Sequence, residues 1–410
     1  MCGVDSRDGK EKCGLNICCS YYGWCGTNST HCGDRDEEGH PTPCQKDFGK
    51  CEVVPSPSCG QGSGSASNGR HVAYYQGWNT RQRQCNRIWP ESINTTGLTH
   101  LNFAFASIDP KTFEITPMHQ EDVNLYPRFT ALKSGGLQTW IAVGGWEFSD
   151  PGPTRNTWSN MVSTQGNRAK FAASAVRFMD RYGFQGLDLD WEYPGTKERG
   201  GNENHDTENQ ISLVVELRNA FGNKYGLSSI LAPDFWYLRK MDPRAMMDQV
   251  DFFNFMGYDL HGAWDAGIGT IGAKIRPHTD IREIDQGLTP LWFNGVDPKK
   301  VNLGMALYGR GYTSKSNCLQ FGCEFSGPNA KSNCTNFDGF MSNYEIRQLI
   351  KRKGLRPELM KDAMVKQIAW DDQWVGYDDE ETYAMKIGFA NDRCLGGTMV
   401  WAIDYDSGRG

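Results

Sequence analysis

Short apolar segments alternate with longer amphipathic segments over most of the chain from His71 onward. Eight segments are rich in β-branched and aromatic residues: HVAYYQGW, THLNFAFAS, LQTWIAVGGW, GFQGLDLDW, LSSILAP, VDFFNFMGY, KVNLGMALYG and CLGGTMVWAI. Between them, segments such as NRAKFAASAVRFMDRYG have the spacing of an amphipathic helix. Near-continuous apolar strands alternating with helices indicate a parallel sheet covered on both faces. Eight such units predict a (β/α)₈ TIM barrel, with a doubly wound open sheet as the alternative.

The longest departure from this alternation lies between the seventh and eighth predicted strands. It covers about residues 312–365, contains Cys318, Cys323 and Cys334, and is far longer than a strand-to-helix connection requires. We therefore expect an inserted subdomain at the top of the barrel.

The N-terminal part has a different composition. Residues 1–51 are rich in Cys, Gly and short polar residues, which predicts a small module held by disulfides more than by a core. Residues 52–70, EVVPSPSCGQGSGSASNGR, have the composition of a linker. The predicted organisation is a module over 1–51, a linker over 52–70 and a barrel over 71–410.

The charge and the cysteine content indicate which partners and which cellular location to expect. The formal charge of −6 comes from 43 basic and 49 acidic residues without a basic block, so we expect neither nucleic acid nor a membrane as partner. Fourteen cysteines, nine of them before residue 60, predict disulfides and an extracellular location. Cys2 follows Met1 directly, so we expect that a signal peptide is trimmed or missing from this chain.

The segment GFQGLDLDWEYPG places Asp188, Asp190 and Glu192 at every second position. Side chains alternate between the faces of a strand, so these acids share the inward face, with Glu192 nearest the carboxyl end, where barrel active sites lie. Carboxylates about 6 to 7 Å apart in a poorly solvated interior raise one another's pKa, which favours Glu192 as a neutral general acid. A hydrogen-bonded acid cluster or an oxygen-ligand site for Mg²⁺ or Ca²⁺ is the alternative.

This row resembles the DxxDxDxE signature on the fourth barrel strand of glycoside hydrolase family 18, with Gln185 in place of the first acid. The resemblance implies a chitinase that cleaves β-1,4 bonds between N-acetylglucosamine units by substrate-assisted retention, in which the sugar's N-acetyl oxygen attacks the anomeric carbon. Glu192 would protonate the glycosidic oxygen and later activate water. Asp190 would stabilise the oxazolinium intermediate, and Asp188 would take up the proton behind it.

Further residues match this family on other strands. On the sixth, the resemblance assigns Tyr258 to the N-acetyl group and Asp259 to the distorted sugar, next to Met256. It also implies a sugar-binding floor of aromatic residues and an arginine: Tyr74, Phe105, Trp146, Trp401, Tyr308 and Arg310. The alternative for the Tyr-Asp pair alone is a strand end followed by a turn, and for any single aromatic residue it is core packing.

One departure from the family predicts a weaker enzyme. Where the family's third strand has SxGG, this chain has Ala142 followed by Val143, Gly144 and Gly145. The missing hydroxyl would remove a hydrogen bond to the inner aspartate, so we expect slower catalysis.

The segment CGLNICCSYYGWCGTNSTHC resembles a hevein-type chitin-binding module, carbohydrate-binding family 18. Zinc is the competing interpretation, but adjacent cysteines without paired histidines favour disulfides. The resemblance implies four bridges: Cys2 with Cys19, Cys13 with Cys25, Cys18 with Cys32, and Cys44 with Cys51. It assigns sugar contacts to Ser20, Tyr22 and Trp24, and it places His31 where an aromatic residue is usual, which predicts weaker binding that varies near pH 6. The six remaining cysteines allow three bridges whose pairing stays open: Cys59, Cys85, Cys318, Cys323, Cys334 and Cys394.

Module, linker and barrel together resemble the killer-toxin-like chitinases of filamentous fungi. The leading hypothesis is a secreted, monomeric chitinase without cofactor or metal, whose module raises the local concentration of chitin. An inactive chitin lectin on the same barrel and an enzyme for N-glycan cores are the alternatives. The three retained acids argue against the lectin, and the insertion together with Trp146 favours a long polymer groove.

Overall fold

The structure is a computed structural model that describes residues 1–406, so residues 407–410 of the predicted barrel range lie outside the described residues. Its strands are β1 (Cys18–Cys19), β2 (Cys25–Gly26), β3 (Arg70–Gln76), β4 (His100–Ile108), β5 (Ile115–Pro117), β6 (Gln138–Gly144), β7 (Gly186–Asp190), β8 (Gly226–Leu231), β9 (Phe252–Phe255), β10 (Val301–Ala306), β11 (Tyr308–Ser314), β12 (Phe325–Pro328), β13 (Phe340–Ser342), β14 (Glu358–Met360), β15 (Val365–Trp370), β16 (Gln373–Tyr377) and β17 (Gly397–Trp401). Its helices are α1 (Ser29–Cys32), α2 (Asn79–Gln82), α3 (Asp122–Thr130), α4 (Thr157–Val162), α5 (Gln165–Tyr182), α6 (Asp206–Phe221), α7 (Phe235–Leu238), α8 (Pro243–Met246), α9 (Ile281–Asn294), α10 (Asn343–Lys353) and α11 (Glu380–Asp392).

Eight parallel strands form one closed sheet. They pair in the order β3, β4, β6, β7, β8, β9, β10 and β17, and β17 pairs again with β3. Helices lie between successive strands in the chain, so the predicted (β/α)₈ barrel is confirmed.

Local signals at both ends of α5 fix where the acid-bearing strand begins. The side chain of Thr164 accepts a hydrogen bond from the backbone N–H of Asn167, which caps the first turn of the helix. Gly183 ends the helix with φ +80°, a left-handed conformation that glycine adopts without steric cost. The chain then reverses and enters β7 three residues later.

The predicted insertion between the seventh and eighth barrel strands is confirmed as an antiparallel sheet with the order β12, β11, β16, β15, β14. Helix α10 packs on this sheet through a small core of its own that includes Ile346, Leu349 and Val375. The inserted sheet extends from Tyr308 to Tyr377, wider than the predicted 312–365, because β11 follows β10 after a single residue.

The N-terminal module is a short hairpin of β1 and β2 with helix α1, crossed by four disulfides: Cys2 with Cys19, Cys13 with Cys25, Cys18 with Cys32, and Cys44 with Cys51. The module packs on the barrel through the turn Gly14–Asn16, which lies against α9. Leu15 in this turn is only 5% exposed. A Cβ at Gly14 would lie 2.5 Å from the carbonyl oxygen of Arg239, so only glycine allows this close approach.

Residues 52–70 connect the module to the barrel and are attached to α11 along their second half. Cys59 forms a disulfide with Cys394, and the side-chain oxygen of Asn391 accepts hydrogen bonds from the backbone N–H groups of Ala66 and Ser67. Linker composition predicts flexibility, but these bonds hold the segment on the barrel surface.

Two further disulfides pair the remaining cysteines, Cys85 with Cys334 and Cys318 with Cys323. The first ties the loop after the first barrel strand to the insertion. Among residues 1–406, no helix combines the length and the apolar character that crossing a bilayer requires.

Candidate active site

Strand β7 carries the acid row into the barrel. Asp188 is fully buried, Asp190 is 3% exposed, and Glu192, just past the end of the strand, is 9% exposed. The intervening residues Leu189 and Trp191 are also buried and, by the alternation of the strand, lie on the opposite face. The alternation of strand side chains therefore places the three carboxyl groups on one line toward the carboxyl end of the barrel.

Asp188 is held from two sides. The hydroxyl groups of Tyr74 and Ser228 each donate a hydrogen bond of 2.5 Å to its carboxylate, one to each oxygen. The Tyr74 oxygen in turn accepts a hydrogen bond of 3.0 Å from the side-chain amide of Asn254. Burial raises the pKa of Asp188 to about 6, and these hydrogen bonds oppose the increase.

Ser228 is a residue that sequence reasoning missed. Within the barrel, Asp188 is paired with Ala142 of β6 on one side and with Ser228 of β8 on the other. A hydroxyl thus reaches Asp188 from the flank opposite Ala142, and the expectation of slower catalysis stays a prediction. The sequence shows two serines in LSSILAP, but not which of them stands level with Asp188.

The other two acids of the row resist ionisation. The pKa of Asp190 is raised well above its usual range by burial and by the charges of Asp188 and Glu192. Burial raises the pKa of Glu192 to about 7, against the opposing effects of the nearby Arg199 and of a hydrogen bond from Tyr193. The acid row can therefore remain partly protonated near neutral pH. The proton closest to the groove is the one on Glu192.

Arg199, which sequence reasoning also missed, connects Glu192 to the exposed Trp146. Its Nε donates to the backbone oxygen of Glu192 at 3.1 Å, and its Nη1 donates to Asp150 at 2.5 Å. Its guanidinium lies 3.6 Å from the centroid of the Trp146 ring and also donates to the backbone oxygen of that residue. Trp146, 47% exposed, is thereby oriented beside the acid row.

Asp259, unlike the acids of the row, is held ionised. Arg310 binds it through two hydrogen bonds of 2.9 Å, and the hydroxyl of Tyr308 donates a third at 2.7 Å. Desolvation opposes the charge, but Arg310 and His278 outweigh it and hold the pKa of Asp259 well below its usual range. The Arg310 guanidinium also lies 5.0 Å from the ring of Trp264, an exposed tryptophan that the sequence analysis did not select.

Two of the aromatic residues predicted as a sugar floor, Tyr74 and Phe105, lie against Trp401. Its ring centroid lies 5.4 Å from that of Tyr74 and 5.5 Å from that of Phe105, with the Phe105 ring nearly parallel. Trp78, not predicted, lies 5.8 Å from Phe105 and 6.3 Å from Trp401, so the three rings form a cluster. These rings give this part of the site an apolar surface next to the acids.

Met256 and Tyr258 lie just past the carboxyl end of β9. Tyr258 is 7% exposed and its ring lies 6.2 Å from that of Tyr308. The charges of Asp190 and Glu192 add to burial in raising the pKa of its hydroxyl well above the usual range, so the group stays a hydrogen-bond donor. Met256 is 8% exposed.

A second groove lies on the N-terminal module. It is lined by the predicted Ser20, Tyr22, Trp24 and His31 together with Thr30, Asp36, Glu37, Glu38 and Thr42. The rings of Tyr22 and Trp24 are 60% and 57% exposed. Ser20 is mostly buried, and its hydroxyl accepts a hydrogen bond of 3.1 Å from the backbone N–H of Trp24, so its side chain positions the tryptophan. Burial lowers the pKa of His31.

The side-chain clusters that could bind a metal ion lie away from the acid row. Among the described residues, the atoms of Asp36, Glu38 and His40 lie close enough to share an ion, as do the sulfurs of Cys2, Cys13 and Cys25. The latter are consumed in disulfides, and the former are surface groups on the module.

Comparison with known proteins agrees with this geometry. Residues 70–406 match the family described as glycosyl hydrolases family 18, and residues 1–51 match the family described as chitin recognition protein. The chain belongs to glycosyl hydrolase family 18, as the acid row predicted, and carries an N-terminal chitin recognition module.

Individual relatives match most of this chain. The secreted chitinase LysM12 of Penicillium expansum is 29% identical over 417 residues, which include 96% of this chain but only 27% of that protein. Chitotriosidase-1 of Mus musculus is 30% identical over 83% of this chain and 74% of its own length. Catalytic domain 2 of the Group II chitinase of Ostrinia furnacalis superimposes with a TM-score of 0.74 at 29% identity, over 82% of this chain and 90% of that domain.

Proposed function

We propose that this chain hydrolyses the β-1,4 bonds of N-acetylglucosamine polymers, with retention and with the substrate's N-acetyl group as nucleophile. The observation that carries the proposal is Glu192 at the barrel mouth, 9% exposed, with a pKa raised to about 7 mainly by burial. A glycosidic oxygen needs a proton as its bond to the sugar breaks, and an acid with a pKa near neutrality can supply it.

In the first proposed step the Glu192 proton passes to the glycosidic oxygen. The bond between that oxygen and C1 breaks, and the carbonyl oxygen of the N-acetyl group bonds to C1, leaving a positive oxazolinium ring. Asp190 has the higher pKa of the inner pair in the free site, so it would face this charge as an anion only after its proton moves to Asp188. The positive charge of the ring would drive that transfer. In the second step water attacks C1, gives its proton to Glu192, and the ring opens.

Residues around the row would orient the sugar. The Tyr258 hydroxyl, kept protonated by its surroundings, would donate to the N-acetyl group, and the ionised Asp259 would accept from a sugar hydroxyl. The Trp401 ring would carry the apolar face of the pyranose. Their convergence on one groove supports these roles.

The module would hold chitin through the exposed rings of Tyr22 and Trp24, with His31 in the same groove. We also propose that the protein acts outside the cell. All 14 cysteines lie within residues 1–406 and are paired, and LysM12 of Penicillium expansum is named as secreted.

The mechanism makes two joint predictions for short N-acetylglucosamine oligomers. The first product seen by NMR should be the β-anomer, and fully deacetylated oligomers of the same length should remain uncleaved because they lack the nucleophile. Release of the α-anomer, or cleavage of the deacetylated oligomers, would contradict substrate assistance. Chitin binding without cleavage of either oligomer would indicate a lectin instead.

A further inference from the structure

Trp236, on α7, has a large exposed apolar surface, and the proposed mechanism gives this residue no role. The residue is 57% exposed. The guanidinium of Arg239 lies 4.0 Å from its ring centroid, and the Nε of Arg239 donates to the backbone oxygen of Trp236 at 3.1 Å. The ring is thus held from one face while more than half of the residue stays in water, which is the geometry of a stacking platform.

This platform adjoins the catalytic groove. Helix α7 begins just past the carboxyl end of β8, on the barrel face that carries the acids. Tyr237, the next residue, stacks on Tyr193 with ring centroids 4.3 Å apart. Tyr193 follows Glu192 in the chain, and its ring lies 6.5 Å from that of Trp146. The stacked pair of Tyr193, only 4% exposed, and Tyr237 therefore packs α7 against the segment that follows Glu192.

The other side of the platform adjoins the chitin recognition module. Arg239, which holds the Trp236 ring, is the residue against which Gly14 packs, at a distance that excludes any side chain on Gly14. Leu15 is buried next to this contact, and its turn lies against α9. Trp236 therefore lies next to the junction where the module and the barrel touch.

We propose that Trp236 is an additional stacking site for a chain of β-1,4-linked N-acetylglucosamine, between the groove at Glu192 and the module. The inference rests on the proposed function, because it takes the ligand of the groove to be chitin. The position of Trp236 identifies the occupant, since this exposed ring lies on the barrel face of the acids and beside the module, where a polymer that extends from the groove to the module passes. The apolar face of a pyranose ring suits stacking on an exposed tryptophan.

The chain offers a matched control. Trp89 is 40% exposed and carries the guanidinium of Arg128 at 4.6 Å from its ring centroid, so it repeats the exposed Trp-Arg pair away from α7. Wild type, Trp236→Ala and Trp89→Ala should be compared for hydrolysis of the N-acetylglucosamine tetramer and of colloidal chitin. We expect the ratio of polymer rate to tetramer rate to fall about three- to tenfold in Trp236→Ala and to stay unchanged in Trp89→Ala.

A binding measurement separates this inference from the proposed function. Glu192→Gln with Trp24→Ala removes the acid and weakens the module, and retention on colloidal chitin is then measured with and without Trp236→Ala. Weaker retention only when Trp236 is replaced supports the site, even if the wild type cleaves no substrate and the proposed function fails. Equal retention, or an equal loss with Trp89→Ala, overturns it.

Discussion

Two carboxyl groups at the barrel mouth, those of Asp259 and Glu192, have pKa values displaced in opposite directions. Arg310 binds the carboxylate of Asp259 directly and keeps it ionised. Arg199, the cation next to Glu192, instead donates to the backbone oxygen of that residue and to Asp150, so burial dominates and the pKa of Glu192 rises to about 7. The different placement of the two arginines thus leaves Glu192 as a proton donor and Asp259 as an anion.

This assignment predicts the pH dependence of the rate. Because Glu192 must carry a proton to protonate the leaving oxygen, kcat/KM for a soluble N-acetylglucosamine oligomer should fall tenfold per pH unit above about pH 7. Initial rates measured across this range check it. A rate that is constant or rising up to about pH 9 would show that another group is the acid.

The same shift predicts a pH-dependent stability. A carboxyl whose folded pKa is raised stabilises the fold fully below its unfolded pKa, and this contribution is lost as pH rises from 4.5 through about 7. Glu192→Gln should therefore raise the free energy of unfolding at about pH 8 by up to about 3 kcal/mol and leave it nearly unchanged at about pH 4. Urea denaturation at both pH values tests this, with the exposed Glu198→Gln as control. An equal effect at both pH values would be inconsistent with a buried, titrating Glu192.

At the scale of the strands, the register between β7 and its two neighbours positions Asp188. Strands β6, β7 and β8 place Ala142, Asp188 and Ser228 at one level of the barrel. Paired residues on parallel strands point to the same face, so a hydroxyl on either flank can reach Asp188. This chain uses the flank opposite to the one where the family's serine is expected.

Moving the hydroxyl from Ser228 on β8 to position 142 on β6 tests this arrangement. Ser228→Ala should lower kcat about tenfold, because it removes a hydrogen bond to a charged group in a buried site. Ala142→Ser added to Ser228→Ala should restore most of the loss. Hydrolysis rates of the single and double variants give the comparison, and a double variant no faster than Ser228→Ala would argue against a positioning role.

The sequence predicted those features that depend on short-range pattern. Alternation in GLDLDW fixes the inward face of β7, and eight apolar runs give the number of barrel strands. Ser228 and Arg199 escaped prediction because their roles depend on strand register and on a loop that folds back onto Glu192. The attachment of residues 52–70 escaped it as well, since their composition carries no signal for a contact with α11.

At the scale of the whole molecule, the module and the barrel are joined into one unit. The disulfide between Cys59 and Cys394 closes a long stretch of chain, with a sequence separation of 335, and fixes the segment that leads from the module. Packing of Gly14 against Arg239 adds a second attachment. These two attachments hold the module on the barrel.

Loss of the long-range disulfide should loosen this unit. Replacing Cys59 and Cys394 by Ser should destabilise the fold by about 2 to 4 kcal/mol and expose residues 52–70 to protease. Replacing Cys318 and Cys323, which are separated by only 5 positions, should have a smaller effect. Denaturation and limited proteolysis provide the readout. Identical behaviour of the two double variants would contradict the attachment role.

The most direct test of the account is the hydrolysis of N-acetylglucosamine oligomers by wild type and Glu192→Gln, with retention on chitin measured in parallel. Gln fills the same volume but has no proton to transfer at the position of the acid. We predict that kcat falls by about a thousandfold or more while chitin retention stays at the wild-type level. A Glu192→Gln variant that cleaves oligomers at a rate near that of the wild type would contradict the account.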